Sequence, residues 1–541
     1  MPTSSRRPRA TRRAPAGRRR RGAGSRQAEP GAHPITIRID ADHPGPVVPG
    51  DFAGLSFEVG PLVPGNAGVA GYLFSPDNSS LVTLFRNLGL GNLRVGGGSV
   101  DQRIPAGTGG DGFTGIDELL AFAAAAGVKV IYTVRLLNPG ASPIRELKSI
   151  NARVAGYIWR QYREHVASFA IGNEPDWHAF HSYDKRPLDP AIYEEVSGVA
   201  GSAYPSYRAN WQSFAGAVGD AAPGALLSGP DTGAYGTLTY TPAAETGVSW
   251  TERFASDERD SGRMAEITQH YYVGDSPGKT TAQQAIGNML SPEWVNGTAV
   301  GKQPRGTTYT PYPWLYANNL APVAAAGLRY RLTESNDYLK GVPGASNAFA
   351  SALWALDHLH WWAAHGAAGV NFHNKQWLDT ATIVQDPDAA GEGYAITPKG
   401  YGIKAFTLGS AGRVKPVAIG NADGINMTAY CVGSAGEDYV TIVNKTYGAG
   451  AADAAVTIVP PAPGLQGAEF MTLAGGEPGD ATGASATLGG AAITGDTAWD
   501  GRWRALPADA HARISLTVRA TTAAIVRIRT RRTQRRRPRP S

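Results

Sequence analysis

The sequence predicts an α/β protein: a (β/α)8 barrel, then an all-β sandwich domain that also takes in a strand from ahead of the barrel. Three observations predict it. From residue 53 short apolar runs alternate with Ala-rich helical segments, past about residue 410 the helices stop, and a period-two strand precedes the first run. That strand is Ile35-Thr36-Ile37-Arg38-Ile39, apolar and polar in turn, as a half-buried strand requires.

Eight runs follow: Ala53-Gly54-Leu55-Ser56-Phe57-Glu58, Leu93-Arg94-Val95, residues 128–134, Ser168-Phe169-Ala170-Ile171, Ala225-Leu226-Leu227-Ser228, Ile267-Thr268-Gln269-His270-Tyr271, Tyr330-Arg331-Leu332-Thr333 and Gly369-Val370-Asn371-Phe372. Helical segments fit the gaps at 81–88, 116–126, 144–162, 204–218, 322–326 and 348–365. Strand alternating with helix implies parallel βαβ units, and eight such units make a barrel. Beyond it, Tyr439-Val440-Thr441-Ile442-Val443, Ala455-Val456-Thr457-Ile458-Val459 and Arg513-Ile514-Ser515-Leu516-Thr517-Val518 read as strands between Gly/Pro/Ala-rich turns. The expected division is a disordered Arg-rich arm at 1–33, a strand joining the sandwich at 34–52, a catalytic barrel at 53–409, the sandwich at 410–526 and a disordered Arg-rich tail at 527–541.

Length and composition agree. The chain has 541 residues, too many for one ordinary domain, and is 42% hydrophobic, enough for a sizeable core. No stretch approaches the roughly 20 apolar residues of a membrane span. One cysteine, Cys431, excludes an internal disulfide framework and a cysteine-based metal cluster. The net charge of +6 hides an asymmetry: residues 1–30 carry ten Arg against Glu29 alone, residues 527–541 carry eight Arg and no acid, and taking these +9 and +8 from the total leaves −11 for 31–526. An acidic body argues against nucleic-acid binding by the folded part, and leaves the arms either solvated or as loose contacts for an anionic partner. The N-terminal arm has the Arg6-Arg7 and Arg12-Arg13 pairs of a basic leader but no apolar stretch after them, so no signal peptide is recognisable and export is left open. Oligomeric state is not legible.

Barrel chemistry sits where strands end at their C-terminal side. The fourth run ends Ile171-Gly172-Asn173-Glu174-Pro175 and the seventh Leu332-Thr333-Glu334-Ser335-Asn336. Two carboxylates facing one cavity are what glycoside hydrolysis needs, one protonated to release the leaving alcohol, the other to stabilise or attack an oxocarbenium-like centre. An isolated Glu is usually a surface or cap residue; two at functional strand ends, one directly after Asn173, weaken that reading. Asn173 can bond the hydroxyl beside the reacting carbon. The other strand ends suit a sugar pocket: Glu58 on the first, Gly96-Gly97-Gly98-Ser99 on the second, Asp231 on the fifth, His270-Tyr271-Tyr272 on the sixth, His373-Asn374 on the eighth. Each has a plainer alternative. The glycines lack the Gly-Lys-Ser/Thr of a phosphate loop, Arg94 can simply pair with a buried carboxylate, Asp231 is more often a helix cap, and Trp354, Trp361 and Trp362 are more often packing. Of His358, His360 and His365 only the first and last share a face, so no metal site is expected there; no cofactor is expected either.

At these residues the sequence resembles glycoside hydrolase family 79, which contains β-glucuronidases and heparanase-like enzymes of the retaining (β/α)8 clan. The matching segments are 93–99, 170–175, His270-Tyr271-Tyr272 and 332–336, in family order, within about residues 34–520. The resemblance implies that Glu174 is the acid/base and Glu334 the nucleophile, and that Tyr272, or else Tyr271, orients Glu334. Substrate contacts are expected from Glu58 by its strand-end position and from Arg94, Gly98, Ser99 and Asn173 within the matching segments; the resemblance also implies a sugar carboxylate held by backbone amides after the nucleophile, where Gly341 falls, and since a lysine there would lower the Glu174 pKa, Lys340 is expected to turn outward. The family's tyrosine shortly after strand eight is missing; His373 to Thr382 contains none, and Lys340 or Lys375 are alternatives for the carboxylate. The expectation is a retaining hydrolase releasing terminal β-linked glucuronic acid from a carbohydrate. The alternatives are a neutral-sugar β-glycosidase (glucoside or xyloside), a non-catalytic carbohydrate-binding protein, and a barrel that is passenger to its basic arms.

Overall fold

A computed structural model describes residues 34–530, apart from 67–69, 102–111, 137–143, 179–202, 234–247, 275–277, 279, 298–300, 303–307, 310, 387–392, 435 and 461–463. The expected ends at 1–33 and 531–541 lie outside the described residues.

Eight parallel strands close into a barrel. In chain order they are Ala53–Glu58, Asn92–Gly96, Lys129–Val134, Val166–Ile171, Leu227–Thr232, Met264–Gly274, Tyr330–Tyr338 and Gly369–His373, one for each predicted run. The last pairs with the first, Val370 opposite Ala53, and closes the ring. Helices Ser79–Leu88, Thr114–Ala126, Ile144–Tyr162, Ala203–Ala221, Ala321–Ala325 and Phe349–Ala364 occupy the predicted gaps. Local chemistry sets their ends. Asn78 accepts a hydrogen bond from the Leu81 amide at the first helix's N-terminus, and Gly89 ends it at φ 68°, a left-handed conformation in which glycine carries no steric penalty.

Polar groups plug the lower end of the barrel. Arg331, fully buried, donates to Glu266 (2.6 Å), Asp51 (3.1 Å) and Asn371 (3.3 Å). The sixth and seventh strands run past the predicted stretches to Gly274 and Tyr338, so Glu334 lies inside a strand. The pairing slips between Leu332 and Glu334, a bulge with consequences for the site.

The C-terminal part is a two-sheet β unit. One sheet has four strands and includes Ile35–Ile39, which runs antiparallel to Val417–Gly420 and parallel to Ala454–Val459. The N-terminal strand thus joins the sandwich, as its alternation predicts, with Ile35, Ile37 and Ile39 buried against Val440, Ile458 and Ile514. The larger sheet is built around Met427–Ser434, Glu437–Asn444 and Thr522–Thr530. The last strand passes the predicted boundary at 526. Arg527 and Arg529, assigned by composition to the tail, are strand residues that pair with Glu469 and Glu437, and Arg527 lies over the Trp503 ring. Among the described residues no helix is long and apolar enough to cross a membrane.

Ile37 tests the docking of that first strand. Ile37→Ala should cost about 2–5 kcal/mol, lowering the denaturant midpoint of the sandwich. An unchanged midpoint would mean the strand contributes little.

Candidate active site

The site is built at the C-terminal end of the barrel around Arg94, on the second strand. Its guanidinium is fully buried and touches residues from four other strand ends. Nη1 donates to Glu334 Oε2 (2.8 Å) and Ser56 Oγ (3.1 Å); Nη2 donates to Asn173 Oδ1 (2.7 Å) and Asp231 Oδ2 (2.9 Å). Burial disfavours the charge, but Asp231 and Glu334 outweigh burial and raise the pKa of Arg94. Asp231 is therefore an ion-pair partner inside the barrel, which corrects the helix-cap reading. Its backbone sits at φ 54°, and its side chain also accepts from Thr333.

The bulge in the seventh strand aims Glu334. In regular strands successive side chains alternate faces. Here Thr333 reaches Asp231 and the next residue, Glu334, reaches Arg94, so two neighbours both point inward. Ser335 then points outward to His358 Nε2 on the helix Phe349–Ala364 (3.1 Å). On the sixth strand alternation is regular and chooses between the two tyrosines. Tyr272 faces inward and donates to Glu334 Oε1 (2.8 Å). Tyr271 faces out, buried among Tyr312, His358 and Trp362, and is a packing residue. Trp354, Trp361 and Trp362 are buried packing residues as well.

Glu334 thus accepts from Arg94 and Tyr272, with His373 Nδ1 at 3.7 Å and His270 Nδ1 at 3.9 Å. Burial raises its pKa and Glu58 adds to that, but His373, His270 and Arg94 outweigh both and pull it down to about 2. Glu174 stands opposite at φ 46°, its amide donating to the Asp231 carbonyl (2.9 Å). One of its oxygens lies 2.9 Å from His270 Nδ1. Its side chain is 21% exposed against 8% for Glu334, so Glu174 is the more open carboxyl. An oxygen of Glu174, one of Glu334 and a nitrogen of His270 all lie within 4.8 Å of one another. Burial lowers the pKa of His270, but Glu334 and the hydrogen bond with Glu174 more than offset this, and it is raised. These three residues have the ligand types of a metal site. Their atoms are already engaged with each other, and a cation there would sit against the Arg94 guanidinium, so the donor set does not fit one.

A cavity of about 640 Å³ opens over the carboxylates, within the range for small-molecule sites. Glu58, Gly98, Ser99, Asn173, Glu174 and Glu334 all line it. Ser99 serves chiefly to hold Glu58: its amide donates to Glu58 Oε2 (2.8 Å), as does its hydroxyl. Glu58 is also paired with Lys375 (2.7 Å) and lies 3.6 Å from His373. Burial raises its pKa, but His373 and Lys375 outweigh that and hold it below the usual carboxylate range. Gly341 lies apart from this lining. Its N–H is spent on the Tyr338 carbonyl (3.0 Å), and its φ of 80° tucks it against Asp379 and Thr380, where a Cβ would not fit. Lys340, expected to turn outward, lines the cavity. Lys375, an alternative for the sugar carboxylate on sequence grounds, is spent on Glu58 instead; sequence reading passed over His373 as a bridge between Glu58 and Glu334, and Trp377, which is 68% exposed on the cavity wall.

No protein-family model matches the chain, and no curated protein matches it. Solved structures do. A 4-O-α-L-rhamnosyl-β-D-glucuronidase from Fusarium oxysporum 12S aligns with TM-score 0.63 at 15% identity over 91% of this chain and 99% of its own. A family 51 arabinofuranosidase from Xanthomonas axonopodis pv. citri gives 0.59 at 15% identity over 92% and 100%, and a monomeric β-xylosidase from Caulobacter crescentus CB15 gives 0.55 at 15% over 92% and 99%. The chain has the fold of these glycoside hydrolases, a closed parallel barrel with an added β-sandwich.

Two outcomes follow from the geometry. Arg94→Met leaves Asp231 and Glu334 buried without their cation and should destabilise the protein by about 3–5 kcal/mol; a midpoint equal to wild type would contradict the central role of this ion pair. Glu334 has a folded pKa of about 2 against an ordinary 4.5, so its stabilising contribution is fully present above pH 4.5 and is lost as pH falls toward 2. Stability measured between those values should fall less steeply in Glu334→Gln than in wild type; equal slopes would place the acid sensitivity elsewhere.

Proposed function

We propose that the protein is a retaining glycoside hydrolase that releases a terminal β-linked glucuronic acid. The observation that carries the hydrolase reading is the approach of Glu174 and Glu334 to within 4.8 Å across one cavity, with opposite surroundings. Retaining enzymes keep their carboxyl groups about 5–5.5 Å apart, whereas inverting ones leave room for a water at about 6.5–9.5 Å. Glu334, held ionised by His373, His270 and Arg94 and steered by the Tyr272 hydroxyl, attacks the anomeric carbon. Glu174 delivers a proton to the leaving oxygen, and Asn173, fixed by Arg94, bonds the hydroxyl next to the reacting carbon. Once the sugar is attached to Glu334, its negative charge is consumed. The charge that most favours a proton on His270 is then gone, and Glu174 acts as base toward the water that releases the product. No cofactor or metal takes part in these steps.

The uronate reading draws support from the resemblance to family 79 around Arg94, Asn173, Glu174, Tyr272 and Glu334, and from the activity printed for the Fusarium protein of similar fold. A neutral-sugar specificity is favoured by one observation, the Gly341 amide being engaged with Tyr338. A panel of aryl β-glucuronide, glucoside, galactoside and xyloside separates the two. The glucuronide should be cleaved fastest; equal or slower cleavage than the glucoside or xyloside overturns the uronate reading and leaves the hydrolase reading intact. Glu174→Gln should lower kcat by about 10²–10⁴-fold, least for aryl groups that leave without a proton. Sugar binding with no hydrolysis of any member would favour a carbohydrate-binding protein instead.

A further inference from the structure

We infer that Lys340 is the residue that recognises the substrate's carboxylate, so that specificity for a uronic acid rests on a lysine side chain where the resemblance implies backbone amides. This inference rests on the uronate reading above. An anionic sugar entering this cavity meets Glu58, Glu174 and Glu334, and the folded body is itself acidic, so a local positive group is required. Arg94 is spent on Glu334 and Asp231. Lys375 is spent on Glu58, at 2.7 Å. The Gly341 amide is spent on the Tyr338 carbonyl. Lys340 remains. It is exposed, it lines the cavity beside Leu339 and Trp377, and among the described residues its ammonium meets no carboxylate.

The backbone that carries Lys340 is fixed on both sides. The Leu339 amide donates to the Gly274 carbonyl (3.2 Å) and the Gly341 amide to Tyr338. The Tyr338 amide donates to Asp337 Oδ1 (2.7 Å), and its hydroxyl accepts from Asn288 (2.8 Å). Behind them Lys399, fully buried, donates to Asn336 Oδ1, to the Thr380 carbonyl (2.6 Å) and to the Thr380 hydroxyl (2.9 Å), while Thr380 also bonds Asp337. Lys399 thus ties the end of strand seven to the loop after strand eight. The flexible side chain of Lys340 is therefore hung from a rigid point on the wall, and little backbone ordering is needed on binding.

The test compares Lys340→Met, Lys340→Arg and Lys375→Met with wild type on aryl β-glucuronide and aryl β-glucoside. Loss of a hydrogen bond to a charged group should raise KM for the glucuronide about tenfold to a hundredfold. It should lower the ratio of glucuronide to glucoside kcat/KM by the same factor. Lys340→Arg should recover part of that ratio, and added salt should lower the ratio in wild type more than in Lys340→Met. Lys375→Met, which unbalances Glu58, should affect both substrates. If wild type prefers the glucuronide and Lys340→Met keeps the same ratio, this inference is overturned alone. If wild type shows no preference, the uronate reading falls and the inference with it. Circular dichroism of each variant separates either result from misfolding.

Discussion

The Arg94 guanidinium is the point on which the active end of the barrel depends. It is fully buried, and an isolated cation there is prohibitively costly, so the surrounding strands must supply charge and hydrogen bonds. They do so from four directions: Ser56 on strand one, Asn173 after strand four, Asp231 on strand five and Glu334 on strand seven. The same contacts that make the arginine tolerable position the functional groups. Asp231 neutralises it permanently, which leaves Glu334 held by hydrogen bonds and charge yet accessible from the cavity.

Backbone geometry then distributes the roles. The bulge after Leu332 turns Thr333 and Glu334 inward together, one to orient Asp231 and one to face the cavity. Glu174, outside its strand and at a positive φ, is more open and meets His270 where Glu334 meets Arg94. Two carboxyls of the same chemistry thus acquire different surroundings within 4.8 Å, the condition under which one can hold a negative charge and the other exchange a proton.

Much of this was legible in the sequence, for physical reasons. Eight buried strands alternating with helices leave a strong periodic record, and the run ends at Glu58, Asn173-Glu174, His270 and Glu334 fall where a barrel places its chemistry. The N-terminal strand was legible because one sheet face is buried and the other is not. The choice of Tyr272 over Tyr271 follows once Thr268 and His270 are known to face inward. What was not legible depended on long-range pairing. Asp231 finds Arg94 across 137 residues, and Lys375 finds Glu58 across the closure of the barrel, with no local signature of either. The bulge leaves no pattern, since Leu332-Thr333-Glu334-Ser335 scans like any strand end. Arg527 and Arg529 scan like the Arg run that follows them, and only Glu437, Glu469 and Trp503 on neighbouring strands make them strand residues.

The most direct measurement of the central claim is to trap the reaction halfway. A 2-deoxy-2-fluoro β-glycoside with a good leaving group slows the attack and the release, and peptide mass spectrometry of the treated protein locates any attached sugar. One sugar per chain is expected, on Glu334, lost on incubation with an acceptor alcohol. Turnover in which no sugar is attached and the first product has the α configuration, or a sugar attached to any other residue, would contradict it.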